Sequence, residues 1–420
     1  MIVAQRFRSP AFYTTLVEIF ARSIHLLIFL IIGNRFGAGI VTDAVFFLYA
    51  PLTVIMSVTA GIAQSVVMPG EHRAQAAKCT NTFRRMIIRY TVNTVLPISL
   101  LATLGAWIIS DYTDLLIALI LLPIPTLASM TAIYTGLLNA EDRHWLAVLS
   151  PAYGSVLAFL MILFMPVTPT GLAAILISFE VGRVVGLRFH ICRGEKVDDS
   201  DASTVISWTL QGARFQALGS FLVALNPLVD RLFAKGFGVG AISDVEYVGR
   251  LWNIVPLLFT GTLTVAYANW SRTASSSKLD MHRVHTSAAR LGGIALVFSV
   301  LAILCADLLI DTLYSWGKID VAHRISLSAL LKAYLAGSAP FVAGLVYVRA
   351  LSAIGRIPLV TVAASINVGV NLILDWIMTS IYGLIGIGFA TSITYLVVMS
   401  FLAVYFEKIS SESTLCTKSI

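Results

Sequence analysis

Two kinds of side chain in this sequence carry chemistry that their apolar surroundings do not account for. The first is arginine. Arg22, Arg214 and Arg250 each stand within a long apolar run, where a guanidinium offers paired N–H donors suited to phosphate oxygens. Each also has a purely structural alternative. Glu18, four residues before Arg22 and on the same helical face, can neutralise it. Arg250 can snorkel toward headgroups, and Arg214, close to Gln211, can pair with a neighbouring helix. The second kind is oxygen-bearing. Asp230 is one such residue, and Asn371 and Asp375, four apart, share a face of one helix. Their carboxylates and amide can serve a cation. Alternatively, Asp230 pairs with Arg231 or Arg250, and Asp375 hydrogen-bonds between helices.

Other polar residues read as structural. Glu180 and Arg183 have the spacing of a helical ion pair, and His25 reads as a packed polar residue. Lys332 has no assignable partner. Asp43 and Asp244 follow Thr42 and Ser243 at predicted helix starts, and Ser243 to Glu246 has the spacing of a capping box.

The elements that must hold these residues follow from composition. Of 420 residues, 58% are hydrophobic and 12% charged, against about 25% charged in an ordinary soluble domain; mean hydropathy is +0.86. A bilayer-crossing helix needs roughly 20 apolar residues, and such runs follow one another almost end to end. Stretches such as Leu26 to Ile32 and Leu115 to Leu122 are apolar on every side, without the alternation of a membrane β-barrel. The fold class is therefore all-α, a polytopic membrane protein with about twelve transmembrane helices. Boundaries fall near 12–35, 44–67, 87–109, 115–138, 146–166, 169–190, 206–234, 244–269, 289–311, 325–350, 357–381 and 384–406. The first apolar run is too long for a cleavable signal peptide, so the first helix is expected to be retained.

Alternating the connections sorts the cations. One side collects Arg6, Arg8, Arg73, Lys78, Arg84, Arg85, Arg143, Arg193, Arg283, Arg356 and Lys408 among others, and the opposite side only Arg35, Lys235, Lys318 and Arg324. The positive-inside rule then places both termini in the cytoplasm. Topology accounts for the net charge of +7, so no nucleic-acid partner is implied. Cys79, Cys192, Cys305 and Cys416 are scattered without metal-binding spacing, and no disulfide or zinc framework is indicated.

The chain repeats itself. Phe36-Gly-Ala-Gly-Ile-Val-Thr-Asp43 returns as Phe237-Gly-Val-Gly-Ala-Ile-Ser-Asp244, and Leu138-Asn-Ala-Glu-Asp-Arg143 as Leu351-Ser-Ala-Ile-Gly-Arg356. The matches fall before spans 2 and 8 and after spans 4 and 10, which implies two pseudo-symmetric six-helix lobes with a site between the repeats. The expected division is an N-terminal lobe over 1–195, a cytoplasmic linker over 196–205, a C-terminal lobe over 206–410 and a cytoplasmic tail over 411–420.

Phe36-Gly-Ala-Gly with Thr42-Asp43-Ala44, Val229-Asp-Arg-Leu-Phe-Ala-Lys235, Tyr247-Val-Gly-Arg250, and Leu351-Ser-Ala-Ile-Gly-Arg356 followed by Asn367 and Asn371 resemble the MurJ (MviN) lipid II flippases of the multidrug/oligosaccharidyl-lipid/polysaccharide exporter superfamily. The resemblance runs over nearly the whole chain. It implies a flippase, not an enzyme, that moves a polyprenyl-diphosphate-linked glycan, either lipid II or a surface-polysaccharide unit, across the bacterial cytoplasmic (inner) membrane. Arg22 and Arg250 then correspond to cavity arginines, and Arg214 is a further substrate-binding candidate. Asp230, Asn371, Asp375 and Thr391 coincide with the residues that form a sodium site in some members. Oxygen ligands alone suit a hard cation rather than a transition metal, so the expected coupling is to Na⁺ or H⁺, with no other cofactor. No ATP-binding Gly-x-x-x-x-Gly-Lys-Ser/Thr is present.

The departures are as specific as the matches. Where the family carries further arginines and an acid, this sequence has Ile28 and Phe29 in span 1 and Ile55 and Met56 in span 2. The family's two further C-terminal helices, which form a groove for the lipid tail, have no counterpart among the twelve spans. Expected partners are the lipid bilayer, the lipid-linked glycan, and glycan polymerases or glycosyltransferases. The rival readings are a cation-coupled drug exporter of the same superfamily, a membrane-embedded glycan polymerase or ligase, and a scaffold that no longer transports.

Overall fold

The computed structural model describes residues 10–110, 114–191, 202–259, 262–263, 266–267, 270, 281–354 and 356–417. Among these residues all regular structure is helical, because only a helix meets its own backbone hydrogen bonds inside a bilayer. Helices α1 (Pro10–Phe36), α2 (Ile40–Ile62), α3 (Met68–Ala76), α4 (Thr80–Ile109), α5 (Leu115–Leu121), α6 (Ile124–Ala140), α7 (His144–Val148), α8 (Ser150–Phe164) and α9 (Pro169–Arg188) precede the long α10 (Ala202–Ala234). After it come α11 (Ala241–Trp252), α12 (Met281–Leu304), α13 (Ala306–Tyr314), α14 (Val321–Ala336), α15 (Ser338–Ala353), α16 (Ile357–Tyr382) and α17 (Ile385–Thr417). Ten stretches are long and apolar enough to cross a membrane, and α14 with α15, bent by 42°, makes an eleventh. They match the expected spans other than the eighth. There α11 stops at Trp252 and Asn253 forms a turn; part of the remainder lies outside the described residues, as do 196–201 of the expected linker.

The chain divides into two compact units, Met1–Leu228 and Val229–Ile420, with the division inside α10. In the first unit, α9 packs on α8 and α6, α1 on α8, and α2 on α6 and α4. A π-helical turn, Ala63–Val67, carries α2 on into α3. Arg35 donates to the carbonyls of Ile162 and Met165 at the end of α8, a position that both satisfies orphan carbonyls and favours a cation. At the opposite end of the unit Arg84 bridges Glu71 and Glu141. Glu71 is fully buried. Burial pushes its carboxyl above the ordinary range, although Arg84 beside it pulls the other way.

In the second unit α12 packs on α15, and α17 packs on α14, α15 and α16. The α14/α15 bend has a local cause. A Cβ on Gly337 would sit 2.6 Å from the Ser392 Cα of α17, so glycine admits the neighbouring helix. The Gly337 N–H turns to the Tyr334 carbonyl at 3.2 Å, and Ser392 donates its hydroxyl to the released Ala333 carbonyl at 2.6 Å. Lys332, which had no partner in the sequence reading, holds Asp307 of α13 at 2.7 Å.

Both sequence repeats mark backbone geometry. Gly37 and Gly238, the first glycines of the two Phe-Gly motifs, have φ of 78° and 96°, a region open to glycine at little steric cost. In the other repeat the Arg143 N–H bonds to Leu138 O and the Arg356 N–H to Leu351 O, both at 2.9 Å, the six-to-one bond of a Schellman helix end. Asp142 occupies the left-handed position of the first with φ 57°. Glycine there removes the Cβ strain, so Asp142→Gly is expected to stabilise the protein by about 1 kcal/mol, read as a higher thermal midpoint in detergent.

Candidate functional site

Helix α10 ends with two adjacent charged residues that face different partners. Asp230 is buried and accepts hydrogen bonds on both oxygens: Tyr334 Oη of α14 donates to Oδ2 at 2.9 Å, and Asn371 Nδ2 of α16 donates to Oδ1 at 3.1 Å. The same Asn371 amide donates to Asp375 Oδ2 at 2.7 Å, one helical turn further on. Asn371 and Asp375 are almost completely buried, and Asn371 Oδ1 and Asp375 Oδ1 have no hydrogen-bond partner. Two carboxyl groups and an amide therefore converge with two donor groups between them and two oxygens unmet. Thr391 is buried on α17, with its hydroxyl donated to Ile387 O of its own helix at 3.0 Å; it stands outside the hydrogen-bonded set. Tyr395 and Trp252 stack nearby, ring centroids 5.6 Å apart, with Trp252 also 6.4 Å from Tyr334.

Arg231 turns instead to Glu246 of α11, to which its Nε donates at 3.1 Å. The other oxygen of Glu246 accepts Arg250 Nε at 2.9 Å and Nη2 at 2.6 Å. One buried carboxylate thus holds two guanidiniums, a net charge of +1, with the Arg250 side chain 27% exposed. This corrects the capping expectation for Ser243 to Glu246. Gly240, with φ 91°, is the N-cap residue of α11, and Glu246 is taken by the two arginines. Asp244 likewise faces His323, at 3.0 Å. At α2 the cap is made by Thr42, whose Oγ1 accepts the Gly39 N–H at 3.0 Å. Neither alternative pairing considered for Asp230 is present among the described residues.

In the first unit Arg22 pairs with Glu18 at 2.7 Å and its side chain is 53% exposed. His25 stacks on Phe179 at 4.3 Å, and Arg183 holds Glu180 at 2.9 Å, both as packed structural residues. The side chains of Arg214 and Gln211 lie outside the described residues. Among the described residues no group of three or more His, Cys, Asp or Glu is placed to hold a metal ion. Two members of the site escaped the sequence. Tyr334 gave no signal, since its role depends on α14 lying beside α10. Glu246 was detectable only by its four-residue spacing from Arg250.

Comparison with known proteins gives two findings and one absence. The family described as "Lipid II flippase MurJ" matches residues 32–414. Among solved structures the chain is similar to a lipid II flippase MurJ in an inward closed conformation, with a TM-score of 0.77 and 18% identity over 96% of this chain and 90% of that one. It is also similar to an inward-facing MATE-family multidrug resistance transporter of the MOP superfamily (TM-score 0.70, 14% identity, 96% and 99% covered). A third likeness is to the Vibrio cholerae MATE transporter VcmN in its bent form (TM-score 0.66, 15% identity, 96% of each chain). At these identities the structures establish the fold. No curated protein matches in sequence.

The Arg231–Glu246–Arg250 cluster makes a stability prediction. Removing this carboxylate takes a counter-charge from both guanidiniums, and breaking a buried pair in this way costs about 3–5 kcal/mol. Glu246→Gln is expected to lower the thermal midpoint of the purified protein markedly, and adding Arg231→Met to recover much of the loss.

Proposed function

The chain belongs to the lipid II flippase MurJ family, a family of membrane transporters, and on that premise we propose that it flips a polyprenyl-diphosphate-linked glycan, lipid II foremost, across the bacterial cytoplasmic membrane. The observation that carries this reading is the family match over residues 32–414. Both termini lie in the cytoplasm, as the distribution of Lys and Arg requires. The two units expose the cargo alternately to the two sides, driven by an ion gradient or the membrane potential. Enzymes that build or polymerise the glycan are the partners this reading implies.

In this mechanism Arg22 and Arg250 receive the diphosphate. Each is ordered by a glutamate four residues earlier, Glu18 and Glu246. What supports Arg250 is the excess positive charge of its cluster and its partial exposure; for Arg22 it is an exposed guanidinium in an apolar helix. The carboxylate partner orients the planar donor group, and an anionic headgroup competes for it.

Coupling rests on Asp230, Asn371 and Asp375, with Thr391 as a further oxygen. Two carboxyl groups buried side by side are costly to keep ionised, and the unmet oxygens of Asn371 and Asp375 fit a hard cation or a proton better than empty space. Na⁺ bound there would add positive charge among oxygens drawn from α10 and α16, so that state of the protein would be favoured in which these helices stay together. Only a difference in cation affinity between inward and outward states can shift their balance.

Two measurements test the reading. In proteoliposomes scored for headgroup accessibility, Arg22→Ala and Arg250→Ala are each expected to slow flipping by about 10- to 100-fold, the worth of charge-assisted hydrogen bonds of roughly 1.5–3 kcal/mol. Lysine at either site should restore only part, lacking the paired donor geometry; normal flipping by both alanine variants would refute the diphosphate assignment. Separately, Na⁺ at fixed ionic strength should raise the thermal midpoint of the wild type, by about 2.7 kcal/mol in stability at a hundredfold excess over Kd. Asp375→Asn should abolish that response. A wild type indifferent to Na⁺ but responsive to pH identifies a proton site, and indifference to both makes the carboxyl groups structural.

A further inference from the structure

Helices α2, α4, α6 and α10 of the first unit enclose a cavity of about 410 Å³ that neither Arg22, Arg250 nor the cation set touches. Val58, Ile62, Ile87, Ile133 and Phe221 form much of its wall, and Ile55, where the family resemblance calls for arginine, forms another part. Three of the hydroxyls that border it are bonded to their own helices, while Thr91 and Thr94 add two more to the wall. Thr59 donates to Ile55 O and Met56 O at 3.0 Å, Ser129 to Pro125 O at 2.6 Å, and Thr209 to Val205 O at 2.8 Å. Among the described residues no lining side chain has a buried, unpartnered oxygen or nitrogen and none that lines it is charged; the Gln211 and Arg214 side chains of α10 lie outside the described residues.

Such a wall cannot replace the hydration of a phosphate or a sugar, whereas hydrocarbon enters it with no polar group to desolvate. Apolar cavities of about 150 Å³ stay dry and take up a six-carbon ring; by the same scale this one has room for on the order of three branched five-carbon units. At its mouth stand Tyr90 and Ile98 of α4 and Phe221 of α10, all large and exposed. All three belong to stretches apolar and long enough to cross a bilayer. The mouth is therefore framed by side chains of membrane-spanning stretches.

We propose that this cavity binds a segment of the polyprenyl tail of the lipid-linked substrate. The inference rests on the flippase reading for the identity of the tail. It separates the cargo's two recognition tasks, with the headgroup met by arginines and the tail by the first unit. The substitution of Ile55 at an expected arginine position makes the wall continuous.

The test uses the full chain in nanodiscs of phosphatidylethanolamine and phosphatidylglycerol, with a long-chain polyprenyl diphosphate carrying a diazirine in its tail. Crosslinks should map to the α4 and α10 segments around Tyr90, Ile98 and Phe221, and unlabelled polyprenyl diphosphate should compete them away. Ala217→Phe, which fills the cavity from α10, should reduce that labelling about tenfold. In flipping assays it should raise KM for the long-tailed substrate about tenfold with kcat unchanged, the mark of lost uniform binding. A substrate with a two-isoprene tail should not notice the change. Thr94→Phe, filling from α4, repeats the test should the first variant misfold. Crosslinks elsewhere, unchanged labelling in a well-folded filled variant, or equal labelling and competition by a diazirine phosphatidylglycerol would each overturn the proposal. Failure of the wild type to flip any lipid-linked glycan would instead defeat the flippase reading, leaving the crosslinking result to stand on its own.

Discussion

An ionised side chain at mid-membrane costs roughly 2.5–3.5 kcal/mol on insertion scales, and that cost organises this protein's polar interior. Arg22 meets Glu18, Arg183 meets Glu180, and Arg231 and Arg250 share Glu246. The same rule joins Lys332 of the α14 span to Asp307 and, outside the expected spans, Arg84 to Glu71 and Glu141. Several of these pairs are also fasteners between helices. Glu246 ties α11 to the end of α10, and Asp307 ties α13 to α14.

Against that pattern, the group around Asp230 is distinctive because its hydrogen bonds come from Tyr334 and Asn371 rather than from a cation side chain. Asp230 and Arg231 are neighbours in sequence, yet successive residues of an α-helix point about 100° apart. One therefore faces α14 and α16 while the other faces α11. The result is two adjoining clusters of opposite excess in one unit: a carboxylate with two guanidiniums, and two carboxyl groups served by Asn371 and Tyr334. On the proposed function, an anionic cargo and a cation would each find a cluster suited to it. Their shared helix end gives a physical route by which occupation of one would be felt at the other.

The internal repeat shows what survives duplication at this level of divergence. The recurring glycines keep positive φ at Gly37 and Gly238, and the recurring helix ends keep the same six-to-one hydrogen bond at Arg143 and Arg356. Of the polar residues after the glycine turns, Thr42 caps α2 and Asp244 engages His323.

The class of the fold was legible from the sequence because the bilayer leaves so little choice: long apolar runs must be helices, and Lys and Arg sort by side. Pairs within one helix were legible too, since Glu18 with Arg22, Glu180 with Arg183 and Asn371 with Asp375 follow from spacing alone. Tertiary structure decided the rest. Which way Asp230 and Arg231 turn, that Tyr334 completes the site, that Glu246 serves two arginines rather than a helix cap, and that α14 breaks at Gly337 to admit Ser392 all depend on helices far apart in the chain. Helical periodicity places a side chain on a face of its own helix, but the identity of the helix opposite that face is set by packing, which spacing within one segment does not encode.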